Sequence, residues 1–213
     1  MPRSKDGLVR LVQREGVDAR IVAAFEAVDR AAFVPQEALR KAYADKPVAL
    51  PQQQTTSQPT LIARMIDALK LDPGHTVLEV GTGYGFQTAL LAQVAREVVS
   101  IERLPALAER ARHNLDAAGV DNATVVVGDG WEGVPEHAPY DAIVVSAAAD
   151  EIPDPLRAQL HEGGRLVIPL RAGRGEAVLL LERSGDELVR KALLTPACFV
   201  PLVRGGGPGE VAD

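Results

Sequence analysis

Val77-Leu78-Glu79-Val80-Gly81-Thr82-Gly83-Tyr84-Gly85-Phe86-Gln87 sets an apolar run directly before three alternating glycines and a helix-compatible segment. Bulky strand residues bury themselves, whereas glycines let the backbone turn tightly and approach a ligand that any Cβ would push away. The stretch reads as strand, ligand-binding turn and helix, the opening unit of an α/β sheet. Ordinary α/β domains use such turns for structural reasons too, so the residues further along decide what this one does.

Glu102 closes a second apolar run, Val98-Val99-Ser100-Ile101. It lies roughly 20 residues beyond the first glycine, where a doubly wound sheet places the acid that accepts hydrogen bonds from ribose hydroxyls. Dinucleotide enzymes use Gly-x-Gly-x-x-Gly to bring a helix close to a pyrophosphate. This loop reads Gly-x-Gly-x-Gly and lacks the Lys-Ser/Thr pair of a phosphate loop. The expected ligand carries ribose without phosphates, and S-adenosylmethionine fits.

Working outward, strand candidates follow at Val98 to Ile101, Thr124 to Val127, Ala142 to Val145, Arg165 to Ile168, Val178 to Leu181 and Leu188 to Leu194. Helical patterns separate most of them, the clearest being Leu104, Leu107, Ala108, Ala111 and Leu115. Near-continuous apolar strands alternating with helices predict a parallel sheet covered on both faces. Ser184-Gly185-Asp186 is too short for a crossover, so the last two strands must be antiparallel. The expected fold is α/β: a Rossmann-like methyltransferase fold with a mostly parallel seven-stranded sheet, a C-terminal antiparallel hairpin and N-terminal helices. Upstream, Leu8, Leu11, Val12, Ile21, Phe25 and Val28 recur at helical spacing, and Ile62, Met65, Ile66 and Leu69 share the face of a later helix. Between them the segment from Tyr43 to Pro59 has little apolar periodicity and reads as a loop. A single domain is expected over 1–204, with N-terminal helices and acceptor-site loop in 1–59, a cofactor-binding core in 60–204, and a disordered tail over 205–213.

The chain's 213 residues can bury one core of ordinary size, and 46% of them are hydrophobic. A formal net charge of -6 without a dense Lys/Arg run argues against nucleic acid as a partner. The N-terminus leads into an amphipathic segment rather than an apolar signal core, and no run of about 18 apolar residues occurs. The expectation is therefore a cytoplasmic protein, monomeric and without a membrane partner. The lone Cys198 cannot form an internal disulfide, and His75, His113, His137 and His161 are scattered without metal-ligand spacing, so no metal site is expected.

Several further motifs together resemble the protein-L-isoaspartate O-methyltransferase family. They are Phe33-Val34-Pro35, Ala42-Tyr43-Ala44-Asp45, Gln54-Thr55-Thr56-Ser57-Gln58-Pro59, the glycine loop with Gln87-Thr88-Ala89, Ser100-Ile101-Glu102-Arg103, Gly128-Asp129-Gly130, Ala142 to Ala149, Leu166-Val167-Ile168-Pro169 and Phe199-Val200-Pro201-Leu202. The resemblance covers about Val28 to Arg204 and implies methyl transfer from S-adenosylmethionine, leaving S-adenosylhomocysteine, to the α-carboxylate of isoaspartyl residues in damaged proteins or peptides. It implies that Gly81, Gly83 and Gly85 surround the methionine part of the cofactor, with Gln87 beside them. Glu102 would hold the ribose, Asp129-Gly130 would lie beside adenine and Glu79 would help organise the site. Ser57 would touch the acceptor carboxylate and Thr55 line the same pocket. Pro51-Gln52-Gln53 stands where the family usually has Gly-x-Gly, Thr56 replaces an apolar residue, and Tyr84 stands where a small one is common.

The implied chemistry accounts for the lack of a general base. A carboxylic acid with a pKa of ~4 is already an anion at neutral pH, so positioning is the main task. Alternatives stay open at this stage. Ser57 could cap a helix starting at Gln58 or Pro59, and Asp129 could serve only as a turn residue. A related enzyme could methylate ordinary aspartate in a dedicated peptide or a small acid. A non-catalytic nucleotide-binding module is the rival from another class.

Overall fold

Leu78 and Val80 point to one side of a buried strand, and Val77 and Glu79 to the other. This alternation, repeated across the sheet, divides the core into two layers. The structure is a computed structural model that describes residues 2–172 and 175–205. In chain order come helices α1 (Lys5–Arg14) and α2 (Ala19–Ala27), 3-10 turns at Arg30–Phe33 and Gln36–Lys41, and the short strands β1 (Val48–Ala49) and β2 (Thr55–Thr56). Then follow α3 (Pro59–Leu69), β3 (Thr76–Val80), α4 (Phe86–Ala92), β4 (Glu97–Glu102), α5 (Pro105–Ala117) and β5 (Ala123–Val127). The chain continues through β6 (Tyr140–Val145), α6 (Asp154–Ala158), β7 (Leu160–Ala172), β8 (Gly175–Ser184) and β9 (Glu187–Ala197).

The main sheet has the order β5-β4-β3-β6-β7-β8-β9, as the α/β pattern predicts. Strands β3 to β7 run parallel, while β8 is antiparallel to both neighbours. The expected β8–β9 hairpin is present, turning at Gly185 with φ +62°. A second antiparallel pairing, Arg165 to Ala172 with Glu182 to Gly175, was not anticipated from the sequence. Its cause is the same: too few residues separate β7 and β8 for a crossover.

Val77, Val98, Ala142, Val144 and Val167 face the layer built by α1, α2, α3, α4 and α5. Phe25, Met65 and Leu90 are buried there, each contributing about 1.5–3 kcal/mol by leaving water. Leu78, Val80, Val99, Ile101, Ile143 and Val145 face the other layer, with Leu156 and Tyr140. The N-terminal helices therefore share the sheet's own core. Ser4 Oγ accepts from Gly7 N–H to cap α1, and Asp18 accepts from Arg20 N–H to cap α2. The expected loop over Tyr43 to Pro59 contains the β1–β2 hairpin, paired Val48 to Thr56 and Ala49 to Thr55. The disorder expected over 205–213 falls, from residue 206 on, outside the described residues.

The order of strands reverses at β3: β4 lies on one side and β6 on the other. Open α/β sheets bind ligands in the crevice beyond the strand ends at such a switch point, and the glycine loop leaves β3 there.

Candidate functional site

A cavity of about 430 Å³ opens above the β3 end, lined by the glycine loop, the segment Gln52 to Ser57, the start of α4 and residues Val200 to Val203. Gly81, Gly83 and Gly85 all have positive φ (95°, 56° and 91°), so the loop takes a path few other residues accept. At Gly83 an added Cβ would lie 3.3 Å from Leu50 on the acceptor-side hairpin, and at Gly130 one would lie 2.5 Å from Val80. Bare backbone at these two positions keeps the cavity open and its walls close. Tyr84 O accepts from Asn114 Nδ2 of α5 at 3.0 Å, which pins the tip of the turn.

Glu102, at the end of β4, is buried and lines the cavity. One carboxylate oxygen accepts from Gly83 N–H at 2.9 Å and the other from Leu104 N–H at 3.1 Å. Burial raises its pKa, and these backbone donors oppose the rise. A carboxylate accepts about four hydrogen bonds, so each oxygen retains a lone pair for a vicinal diol. Ile101, Leu104, Leu107 and Leu202 add apolar wall nearby, suited to a flat ring.

Beneath the loop lies a buried polar network. Glu79 and Ser100 face each other across β3 and β4, and the Ser100 hydroxyl donates to Glu79 Oε2 at 2.7 Å. Thr88 Oγ1 donates to the same oxygen, Gln87 Nε2 donates to Oε1 at 3.0 Å, and Thr82 Oγ1 meets Ser100 Oγ. Glu79 is wholly buried, which pushes its carboxyl up to about 7 against the lowering pull of these donors. Gln87 Nε2 also donates to Ser146 Oγ at 3.0 Å, which leaves Gln87 Oε1 a buried acceptor without a partner among the described residues. Gln87 lines the cavity. A buried acceptor left without a donor costs about 1–3 kcal/mol. The diol acceptor Glu102, the apolar slot and the bare glycine backbone together fit S-adenosylmethionine.

On the opposite wall, Thr55 and Ser57 line the cavity. Ser57 does not cap α3: Gln58 is the cap residue and makes no side-chain cap bond. Asp45 fills that role across the chain, accepting from Thr60 N–H at 3.0 Å, Thr60 Oγ1 at 2.9 Å and Gln58 Nε2 at 2.8 Å. The Ser57 hydroxyl makes no hydrogen bond to another described residue.

The structure thus brings Thr55, Ser57, Gly81, Gly83, Gln87, Glu102 and Gly130 around one cavity. Glu79 lies behind that wall, bonded to Gln87 and Ser100, while Gly85 caps α4 against Leu115. Asp129 flanks Gly130 just outside that lining, and its carboxylate accepts from Trp131 N–H and from Gly205 N–H, each at 2.8 Å. Sequence reasoning left out Ser146 and Thr82, although Ser146 follows a central strand at the switch point, where a lining residue is expected. It gave no role to Asp45, quoted only within Ala42-Tyr43-Ala44-Asp45, and left out Arg30, which no local pattern singles out.

The family model described as Protein-L-isoaspartate(D-aspartate) O-methyltransferase (PCMT) matches residues 3–207. A protein-L-isoaspartate O-methyltransferase of Methanoculleus marisnigri is 46% identical over 99% of this chain and 96% of its own. One of Anaeromyxobacter dehalogenans is 50% identical over 87% of this chain and 90% of its own. Among solved structures, a protein-L-isoaspartate O-methyltransferase superposes with a TM-score of 0.87 at 31% identity, covering 97% of this chain and 67% of the other. A Plasmodium falciparum protein assigned as a β-aspartate methyltransferase, crystallised with S-adenosyl-L-homocysteine, shares the fold with a TM-score of 0.81 at 24% identity over 96% of this chain and all of its own.

Proposed function

The chain belongs to the protein-L-isoaspartate O-methyltransferase family, and from that premise we propose that it methylates the α-carboxylate of isoaspartyl residues in damaged proteins or peptides, initiating their repair. The methyl donor is S-adenosylmethionine, which supplies an electrophilic methyl on a sulfonium when bound. The observation that carries this reading is the meeting of two walls in one cavity: Ser57, its hydroxyl unbonded among the described residues, on one side, and Gly83, Gln87 and Glu102 on the other.

Glu102 accepts from the ribose hydroxyls, and the bare faces of Gly81 and Gly83 border the methionine portion, with Gln87 beside them. Gly130 admits the adenine edge, with Asp129 beside it holding the turn through Trp131 N–H and Gly205 N–H. Ser57 donates to the acceptor carboxylate and Thr55 borders it. An ionised acceptor needs no base; holding its oxygen within about 3 Å of the methyl carbon supplies the advantage. A neutral hydroxyl suits the task, because a strong cationic grip would stabilise ground-state charge that the transition state loses.

Methyl transfer to an isoaspartyl peptide, but not to its aspartyl twin, is the expected outcome with radiolabelled donor; equal or absent labelling overturns the assignment. Ser57→Ala lowers turnover far more than donor affinity, and a loss of donor binding instead would make Ser57 structural. The turn Gln52-Gln53 favours testing a second acceptor class. Both residues have positive φ (56° and 58°) and line the cavity mouth, so an aspartyl peptide or small acid belongs in the same screen. A cytoplasmic monomer acting without nucleic acid or membrane is consistent with the acidic charge and with no helix, among the described residues, long and apolar enough to cross a membrane.

A further inference from the structure

Arg30 is almost wholly buried, 1% exposed, in the 3-10 turn before Phe33. Its guanidinium donates from Nη1 to Ala42 O at 3.0 Å and Ala44 O at 2.9 Å, and from Nη2 to Lys46 O at 3.1 Å, Thr56 Oγ1 at 2.9 Å and Ser57 O at 3.3 Å. Thr56 Oγ1 also accepts from Val48 N–H at 3.3 Å, so this hydroxyl ties β1, β2 and Arg30 together. On its other face the guanidinium lies 5.6 Å from the ring centroid of Phe86, which opens α4 directly after the glycine loop and lines the cavity. Phe86 is held in turn by Phe25 and Phe33, with centroids 5.8 Å and 6.0 Å away.

One buried cation therefore touches both walls of the cavity: the segment carrying Thr55 and Ser57, and the start of the helix carrying Gln87. We propose that Arg30 is a positioning residue for methyl transfer, setting the Thr55-Thr56-Ser57 segment against the donor side of the cavity. This role rests on the methyltransferase reading above. A planar fork reaches five acceptors at once with its geometry fixed; a lysine ammonium has three donors and no plane to lay on Phe86. Burial of this cation, which forms no salt bridge among the described residues and feels Asp45 only at a distance, is costly, and the carbonyls offset it only while the segment 42–57 keeps its path. The segment and the arginine hold each other in place.

The test compares Arg30→Lys, Arg30→Met and Thr56→Val with wild type. Steady-state kinetics on an isoaspartyl peptide is set beside calorimetry with S-adenosylhomocysteine and backbone hydrogen exchange over residues 54–58. Arg30→Met is expected to lose at least about tenfold in kcat/KM for the peptide while donor-product Kd shifts by no more than about threefold, with faster exchange confined to the acceptor segment. Arg30→Lys restores part of the kcat/KM. Thr56→Val, which leaves the cation buried, gives a smaller loss of the same kind and serves if the arginine variants fail to fold. Unchanged peptide kinetics in folded variants overturns the role, as does parallel weakening of peptide and cofactor, which would make Arg30 general support. A wild type silent toward isoaspartyl peptide defeats the substrate assignment instead, and the exchange measurement then decides the positioning by itself.

Discussion

At the scale of single residues, Glu102 and Glu79 show how neighbouring strands give two acids different work. Glu102 reaches the cavity and keeps lone pairs free, so Glu102→Ala is expected to weaken S-adenosylhomocysteine by roughly 10- to 100-fold, the worth of charge-assisted hydrogen bonds. Calorimetry checks this, and an unchanged Kd would remove Glu102 from the ribose site. Glu79 is fully buried, and its carboxyl is raised from 4.5 to about 7 by burial. Between those values the folded protein holds a proton that the unfolded chain has released. This group's contribution therefore falls as pH rises through that window, by up to about 1.4 kcal/mol per pH unit, and levels off above it. Urea midpoints for wild type and Glu79→Gln at about pH 5 and 7.5 test the sign: the variant should lose that slope, and an equal slope in both proteins would place its origin elsewhere. Glu102 could be anticipated because strand-end spacing in a doubly wound fold is a local regularity. The bond from Gly205 N–H to Asp129 could not, since the two residues lie far apart along the chain.

At the scale of elements, residues Phe199 to Gly205 form a strap over the cavity that belongs to no regular strand. Val200 O accepts from Ala148 N–H and Leu202 N–H donates to Ala148 O, both at 2.8 Å. Phe199 N–H donates to Glu176 at 2.7 Å and Gly205 N–H to Asp129, while the Arg204 guanidinium lies 5.2 Å from the Trp131 ring centroid. Few bonds hold this strap, so local opening is easier there than in the sheet. Asp129→Ala should speed tryptic cleavage after Arg204, with bound S-adenosylhomocysteine slowing it again. Cleavage at wild-type rate would mean that Asp129 does not anchor the strap. The helices and strands themselves were legible, because buried faces impose periods of 3.6 and 2. The clamp that Arg30 and Asp45 place on the acceptor segment was not, because 3-10 turns and two-residue strands carry no period to read.

At the scale of the whole molecule, α1 and α2 pack into the same hydrophobic layer as Val77, Val98 and Val144 of the sheet. A shared core predicts one cooperative unit, so far-UV circular dichroism and Trp131 fluorescence should give coincident urea transitions. A separate early transition in the helical signal would instead make residues 1–59 an independent unit. Sequence alone sufficed for the main strands, the glycine turn and the β8–β9 hairpin, because each follows from local backbone geometry, side-chain period or connection length. It took the packed fold to bring Ser57 to the glycine-loop cavity, to make Asp45 rather than Ser57 the partner that caps α3, and to set Arg30 between the two walls. Those arrangements depend on buried polar groups finding partners at long range, and such pairing emerges only when the layers pack.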